Sequence, residues 1–527
     1  MDIVACPDPK PWRSDLPAID DPAVPVPEFL FEGASRFGDK PALVDGPTGR
    51  TLSYRQLADG VERVAAGLAA REFGKGDVLA LSSPNLPEYA VALYGAMAAG
   101  GAVTGANPLL TTGELATQLA DAGASVLVTV PPFLETARAA ADKAGVGEVL
   151  VFGEADGATP FASLLTEGGT PPRVRIDPAS DLAALPYSSG TTGLPKGVEL
   201  THANVVAQAR QVQAVLGLTE AGVVVGVAPF FHAIGQNLIL PCSLRAGATV
   251  VTMPRFDLAG FLELIQRYRA TSTVVVPPVV LALAGHPLVD DYDLSSLRFL
   301  GCGAAPLGAE VEQRCADRLG CQVGQGFGMT EGTAAFAIAP PEEPRRGSAG
   351  RLLPSTQARI VDPAGGDLGP GRTGELWLRG PQVMRGYRNH PEATAATLGP
   401  GGWLRTGDLC YLDADGYLFV VDRLKELIKY KGYQVAPAEL EQLLCAHPAV
   451  ADAAVVPRPD PVAGELPVAH VARRAEVSAA ELEAWVADRV APYKRLRGVQ
   501  FVDQVPRSPT GKLLRRVLVE AERAGAA

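Results

Sequence analysis

The sequence predicts an α/β protein with a smaller α+β unit behind it, on three observations. Apolar, β-branched runs alternate with Ala/Leu-rich helical patterns up to about residue 350. Short strands with Gly/Asp/Pro turns take over across 356–421. A compact helix–strand–helix unit with a basic tail follows from about 425.

The apolar runs are DVLALSS (77–83), SVLVTV (125–130), EVLVF (148–152), TVVTM (249–253) and TSTVVVPP (271–278), and helices are expected between them, as at 57–72 and 258–270. Near-continuous apolar strands separated by helices indicate parallel sheets covered on both faces. Two such blocks, about 50–180 and 180–350, predict two stacked α/β subdomains. The apolar stretch 90–106 contains Gly95, Gly100 and Gly101 and is short for a membrane span, so it reads as a buried helix entering a strand. Residues 356–421 (ARIVD, GELWLRG, GWLRTGDL, DGYLFVVD) predict a small antiparallel barrel or sheet. Beyond them the pattern predicts a helix at 437–446, a strand at 451–456 and a helix at 479–490, the last opened by a Ser478/Glu481 capping box. The boundary falls at Asp422–Lys425, giving domains 1–422 and 423–527.

Composition excludes several classes. A net charge of −11 argues against a broad surface tracking nucleic acid. The seven cysteines are far apart with no C-x-x-C, and the six histidines form no ligand-like cluster, so neither a zinc site nor a disulfide framework is expected. The N-terminal residues lack a secretory pattern. Together these features predict a cytoplasmic protein with no membrane span.

Y-S-S-G-T-T-G-L-P-K, Tyr187–Lys196, carries the sharpest chemistry. Glycines let backbone N–H groups close around phosphate oxygens, hydroxyls add donors, and Lys196 adds a cation. It is not the G-x4-G-K-[ST] loop. In GQGFGMTE (324–331), Phe327 suits stacking on a purine, Thr330 can donate to phosphate and Glu331 can hold Mg²⁺; read alone, the segment is equally a Gly-rich turn around a core Phe. Ala304 and Ala305 in GCGAAPLG are too small to block a purine or an acyl group. Asp408 in RTGDL can accept both hydroxyls of a ribose diol, although a lone Asp in a Gly turn is commonly a cap.

The order and content of these motifs, with PFFHAIG (229–235), GELWLRG (374–380), VVDRLKELIKYKGYQVAPAELE (420–441) and PRSPTGKLLRR (506–516), resembles the adenylate-forming superfamily of acyl-CoA synthetases, over about residues 30–520. The 420–441 segment is most similar to the 4-coumarate–CoA ligase branch. The resemblance implies a mobile C-terminal domain and an ATP-dependent acid–CoA ligase: a carboxylic acid and ATP give acyl-AMP and pyrophosphate, then coenzyme A gives acyl-CoA and AMP.

It also implies residue roles. Ser188, Ser189, Gly190, Thr191, Thr192, Lys196, Ala304, Gln325, Gly326, Phe327, Thr330, Asp408, Arg423, Lys425, Lys429, Gln434 and Lys512 would meet ATP or AMP. Lys512, Lys429, Thr330 and Glu331 would act in catalysis, with Glu331 on Mg²⁺. Arg255, Lys431 and Gly432 would meet coenzyme A. His232, Ile234, Gly303, Ala304, Gly328, Ala334 and Ala335 would line the acid pocket; for His232, a core residue under an aromatic is an equal reading. Ile234 stands where 4-coumarate ligases carry a tyrosine, and Ala334–Ala335 where they carry Pro-Val. The implied acid is therefore bulky and apolar, aryl or fatty. Lys512 and Lys431 would sit on opposite faces of one small domain, so a rotation near Lys425 is expected between the two steps. Loading of a carrier-protein thiol and a catalytically inactive nucleotide-binding protein stand as alternatives. A homodimer is compatible with the resemblance.

Overall fold

The computed structural model describes residues 11–20, 24–167, 169–188, 195–508 and 511–525, and among these the strands form four sheets. The first runs Tyr187–Ser188, Lys196–Thr201, Leu182–Ala184, Ala102–Ala106, Val78–Ser82, Ala124–Thr129, Glu148–Val151, Thr159–Pro160. Its centre is parallel, with Val78 opposite Ala102 on one side and Ala124 on the other. Every residue of Val78–Ser82 and of Ala102–Ala106 is buried, as two-sided burial requires. Helix Pro87–Ala98 is apolar nearly all round and buried except at Glu88 and Ala98 near its ends, so 90–106 is indeed a buried helix running into a strand.

The second sheet runs Arg351–Leu352, Ala337–Ile338, Gln322–Phe327, Phe299–Cys302, Ser272–Val275, Val223–Gly226, Thr249–Thr252, Pro41–Asp45, Thr51–Ser53. The two-block division at residue 180 is corrected here. Residues 182–201 complete the first sheet, whereas Pro41–Asp45 crosses to the second and pairs in parallel with Thr249–Thr252. The chain turns away at Ser53, whose side chain accepts from Gln56 N–H while Gln56 bonds back, a complete capping box. That starts the first long helix at Tyr54, three residues before the hydrophobic pattern begins.

The third sheet is antiparallel: Trp12–Arg13, Gln357–Val361, Gly374–Arg379, Trp403–Leu412, Leu398–Gly399, with Leu418–Arg423 also on Trp403–Leu412. Burial alternates residue by residue along Gly374–Arg379, the signature of a sheet with one wet face. The fourth sheet, Tyr433–Val435, Ile428–Tyr430, Gly464–Arg473, Val450–Asp460, with Val499–Val502 on Gly464–Arg473, has its own apolar core with helices Pro437–Ala446 and Ala479–Ala487. The expected strand at 451–456 is half of a long hairpin, Val450–Asp460 against Gly464–Arg473. At Ser478 only half of the expected box forms: its hydroxyl accepts from Glu481 N–H, but the Glu481 carboxylate turns toward His447, 3.9 Å away. The basic tail is helix Arg515–Gly525, docked through buried Glu522 to His470 at 2.8 Å and Arg458 at 2.5 Å.

Arg515 ties this last helix to the chain segment between the third and fourth sheets. Its guanidinium donates to Glu426 at 2.6 Å, to Glu441 at 2.9 Å and to the Val455 carbonyl at 2.7 Å. Burial opposes the charge, yet Glu441, Glu426 and Asp422 hold it firmly protonated. No helix among the described residues is long and apolar enough to cross a membrane. Replacing Arg515 by Met should cost about 3–5 kcal/mol in the fourth-sheet unit, because carboxylates are left buried without a partner. Hydrogen exchange along Pro437–Ala446 should accelerate; unchanged protection there would contradict the assignment.

Candidate functional site

The site lies outside the carboxyl ends of the parallel strands of the second sheet, the usual crevice of an open α/β sheet. Three of its chain segments follow directly from those strands: Gly303–Gly308 after Phe299–Cys302, Gly328–Ala335 after Gln322–Phe327, and Val276 after Ser272–Val275. Ser188 is buried and sits opposite Lys196 in an antiparallel pair. Ser189, Gly190, Thr191 and Thr192, between them, lie outside the described residues.

Glu331 is buried in a short turn. Its Oε1 accepts a 2.7 Å hydrogen bond from the Tyr387 hydroxyl. The same tyrosine ring lies 5.7 Å from the Lys196 ammonium, within cation–π range. Burial, reinforced by the Glu331 charge, pushes the Tyr387 phenol far up, so it remains a neutral donor. Tyr387 arrives by pairing of Gly386–Tyr387 with Val198–Glu199. Sequence reasoning missed it, because nothing in M-R-G-Y-R distinguishes it until a strand nearly two hundred residues away is placed beside it.

Around the neighbouring pocket, close backbone approach dictates glycine. A Cβ at Gly328 would collide with the Ala334 carbonyl, whereas one at Gly303 would meet only Ile234 Cδ1, at an ordinary contact distance of 3.6 Å. Phe327 ends its strand and is buried, and Gly326 pairs with Ile338. Ala304 is exposed in the left-handed region at φ 71°. Thr333 is held at φ 67°, an outlier for a β-branched residue. It is pinned by Thr333 Oγ1 donating to the Gln382 carbonyl at 2.7 Å and by Asn237 donating to the Thr333 carbonyl at 3.0 Å. Ala334 and Ala335 are buried in the main apolar cluster.

Two expectations are revised. The Gln325 side chain does not face the crevice: it accepts from Leu307 N–H at 2.8 Å and donates to the Leu307 carbonyl at 3.0 Å and to Glu312 at 2.8 Å. Its contribution is to hold the 303–307 turn. The pocket wall is also less apolar than Ile234 and Ala335 suggest. Gln208 is fully buried and accepts from Ala335 N–H at 2.7 Å, while its amide nitrogen has no partner among the described residues. Gln236, buried on the π-helix Ile234–Ile239, has neither amide atom paired there.

Asp408 and Arg423 face each other across paired strands, with Arg423 Nε donating to Asp408 Oδ1 at 3.2 Å. Burial raises the Asp408 carboxyl to about 6; Arg423 and Lys512 work against this and Glu426 adds to it. Lys512 is thus inside the crevice. Its own pKa is lowered, first by burial and then by Arg423, while Glu426, Glu331 and Asp408 oppose the shift. Burial and the Lys512 charge bring His232 down to about 4, so the imidazole is neutral near pH 7; its Nδ1 accepts from Ile234 N–H at 3.4 Å.

The Lys512 turn is braced from behind. Arg507 makes two 2.8 Å bonds to Asp452 and donates to the Gly511 carbonyl at 2.9 Å. Gly511 lies against Val276, where a Cβ would come within 2.7 Å of that side chain. By contrast, Lys429, Lys431, Gly432 and Gln434 occupy one solvent-exposed hairpin, with Lys429 opposite Gln434. Lys425 is exposed between the third and fourth sheets, and Arg255 is exposed beside Phe256. The structure therefore gathers Lys196, Glu331, Asp408, Arg423 and Lys512, and leaves the second cationic set facing water.

Residues 30–388 match the family model described as AMP-binding enzyme, and residues 439–512 match the AMP-binding enzyme C-terminal domain. A 4-coumarate–CoA ligase of Pinus taeda is 44% identical over 96% of this chain and 97% of its own length. Among solved structures, the anthranilate CoA ligase AuaEII with anthranoyl-AMP superposes with a TM-score of 0.90 at 27% identity, covering 97% of this chain and 99% of its own. A benzoate CoA ligase from Burkholderia xenovorans LB400 superposes with a TM-score of 0.86 at 28% identity, covering 94% and 100%.

The electrostatics of Asp408 can be tested without any ligand. In Arg423→Gln, burial stays while the guanidinium that favours the charged carboxylate is lost, so the Asp408 titration midpoint should rise above about 6. Carboxyl ¹³C NMR titration reads this directly; a midpoint that falls or stays put would contradict the ion pair.

Proposed function

The chain belongs to the AMP-binding enzyme family, and from that premise we propose how its residues divide the two half-reactions of an AMP-forming acid–CoA ligase. The observation that carries the reading is the placement of the C-terminal cations: Lys512 is inserted beside Glu331 and Asp408 while the Lys431 hairpin faces solvent. One small domain thus offers a different cation to each step.

In the first step a carboxylate attacks the α-phosphate of ATP, and anion meets anion. Positioned cations and donors must offset that repulsion. Lys512 bridges the incoming carboxylate and the phosphate. Ser188–Lys196, with Ser189, Gly190, Thr191 and Thr192, cradles the departing pyrophosphate. Thr330 donates to the α-phosphate. The adenine stacks on Phe327 beside Ala304 and Gly326, and Asp408 with Arg423 takes the ribose. Glu331 suits Mg²⁺: it is a buried carboxylate with one oxygen fixed by Tyr387 and the other without a hydrogen bond among the described residues. Mg²⁺ arriving with ATP would neutralise phosphate charge there.

The lowered Lys512 pKa means that its ammonium is less favoured in the empty crevice than in water. Triphosphate makes up the deficit. When pyrophosphate leaves, much of that compensation leaves with it, and the arm is free to withdraw. We take domains 1–422 and 423–527, with the exposed Lys425 at the hinge. Rotation brings Lys429 and Gln434 to the AMP phosphate, and Lys431, Gly432 and Arg255 to coenzyme A. Neutral His232 stands where the thiol approaches.

The acid pocket formed by Ile234, Gly303, Gly328, Ala334 and Ala335 suits a bulky, mainly apolar acid. Gln208 Nε2 and the Gln236 amide, without partners among the described residues, favour an aryl acid that carries a hydrogen-bonding substituent over a saturated fatty chain, which would leave them unsatisfied. Carrier-protein loading is the rival for the second step; the exposed Lys431–Gly432 turn and Arg255 favour a free, phosphate-bearing thiol.

Lys512→Ala should lower ATP–pyrophosphate exchange by at least about a hundredfold, by loss of a transition-state cation, yet keep thioester formation from supplied acyl-AMP. Lys431→Ala should raise the KM for coenzyme A and spare exchange. Equal loss of both half-reactions in each variant would refute the division. On a panel of acids, bulky aryl substrates should outrank acetate and saturated fatty acids in kcat/KM; dominance by a saturated fatty acid would overturn the pocket reading.

A further inference from the structure

Helix Pro277–Gly285 is touched at both ends by the unit of the fourth sheet. It begins after Val276, against which Gly511 of the Lys512 turn is seated. At its other end Gly285 lies under the Arg474 guanidinium: a Cβ there would collide with Arg474 Nη1 and come within 3.3 Å of Cζ. The helix between the two contacts has 9 residues, a span of about 13 Å. Arg474 directly follows strand Gly464–Arg473, and its N–H donates to the Ala449 carbonyl at 2.8 Å, which ties its backbone to the fourth-sheet unit. A third contact lies where helix Pro437–Ala446 approaches Gly308, at which a Cβ would sit 3.5 Å from Gln442 Cβ.

The Arg474 contact carries charge. The Gly285 end is the negative end of its helix, where cations are favoured. Arg318 already takes two carbonyls there, donating to Leu283 at 3.1 Å and to His286 at 2.9 Å, and pairs with Asp290 at 2.8 Å. Arg474 arrives as a second cation, with no carboxylate of its own among the described residues. Arg314, on helix Ala309–Leu319, lines the cleft beside Ala284 and Arg318 and is likewise unpaired among them. Glu310 and Asp317 line the same cleft, and neither pairs with Arg314 or Arg474. Burial, and after it the Arg314 charge, lowers the Arg474 pKa. The helix end thus attracts Arg474 and a like charge opposes it.

Two contacts at opposite ends of one rigid helix fix an orientation that a single contact would leave free. We propose that Arg474 is a positioning residue for acyl-AMP formation: seated at the Gly285 end of the helix, it sets how the Lys512 turn meets the Val276 end, and Arg314 keeps the seat weak enough to be vacated for the second step. Gly285 leaves the space that the guanidinium fills. This rests on the reading above that Lys512 serves the first half-reaction and must withdraw before the second, and it adds the contact that sets the balance between the two arrangements.

The two half-reactions, measured separately, test the seat. Arg474→Ala should lower kcat/KM for ATP in ATP–pyrophosphate exchange about two- to fivefold, the scale of one cation lost from a helix end, and leave thioester formation from supplied acyl-AMP unslowed. Arg474→Lys, which keeps the cation, should recover most of the loss. Arg314→Glu turns the repulsion into attraction, so it should spare exchange and slow thioester formation about threefold, the scale of an exposed ion pair. That slowing should vanish in the Arg314→Glu/Arg474→Ala double variant, and at about 1 M salt, where screening acts over about 3 Å. Equal loss of both half-reactions in Arg474→Ala, no loss in either, or an Arg314→Glu effect that persists without Arg474 overturns the seat. Lys512→Ala run alongside separates the two failures: if it does not split the half-reactions, the division of labour itself falls, and if it splits them while Arg474→Ala does not, only the seat falls.

Discussion

A half-buried ammonium group lies where two units of this molecule meet. Lys512 is carried on a turn of one unit into a crevice built by another, and it is surrounded there by Glu331, Glu426, Asp408 and the like-charged Arg423. Taking a cation out of water is costly, and the carboxylates around it do not fully compensate. Much of the remaining architecture serves to deliver that one charge. Arg507 grips Asp452 on the long hairpin, so the turn moves with the fourth sheet as a body. Arg515 links the same unit to Glu426 and Glu441, so the segment before the fourth sheet and the last helix are joined through one side chain.

The receiving half is equally constrained. The second sheet presents three strand ends side by side, and each leads into a different segment: the small-residue turn after Cys302, Phe327 with Glu331 after it, and Val276. Strain is concentrated at Thr333, between the acid and the pocket, where Asn237 and Gln382 hold an unfavourable backbone in place. Tyr387 belongs to neither the crevice strands nor the arm, yet it touches both Glu331 and Lys196. It links Lys196 to Glu331, the residue proposed for Mg²⁺, through one side chain.

The legible parts of this protein were those written contiguously. Val78–Ser82 and Ala102–Ala106 declared two-sided burial by composition, and helix Pro437–Ala446 lies where its pattern placed it. Motifs such as G-M-T-E and R-T-G-D announced their chemistry because all their groups are neighbours in the chain. What escaped was assembled from afar. Pro41–Asp45 pairs in parallel with Thr249–Thr252, a strand about two hundred residues later, which no local pattern encodes. Gln325 carries the right functional group, but Leu307 and Glu312 occupy it. Gln208 sits on a helix face that reads as ordinary until Ala335 is found against it. Ser478 and Glu481 had the right spacing for a reciprocal cap, and the carboxylate turned toward His447 instead.

The contact between Gly511 and Val276 couples two properties that would otherwise be separable. Val276 directly follows Val275, whose carbonyl accepts the Gly303 N–H at 3.1 Å, and Gly303 borders the acid pocket. A larger residue at 276 would reshape that border and also obstruct the arm; a smaller one would relax both. On the roles proposed for Gly303 and Lys512, substrate range and the rate of activation would share a single steric boundary at Val276.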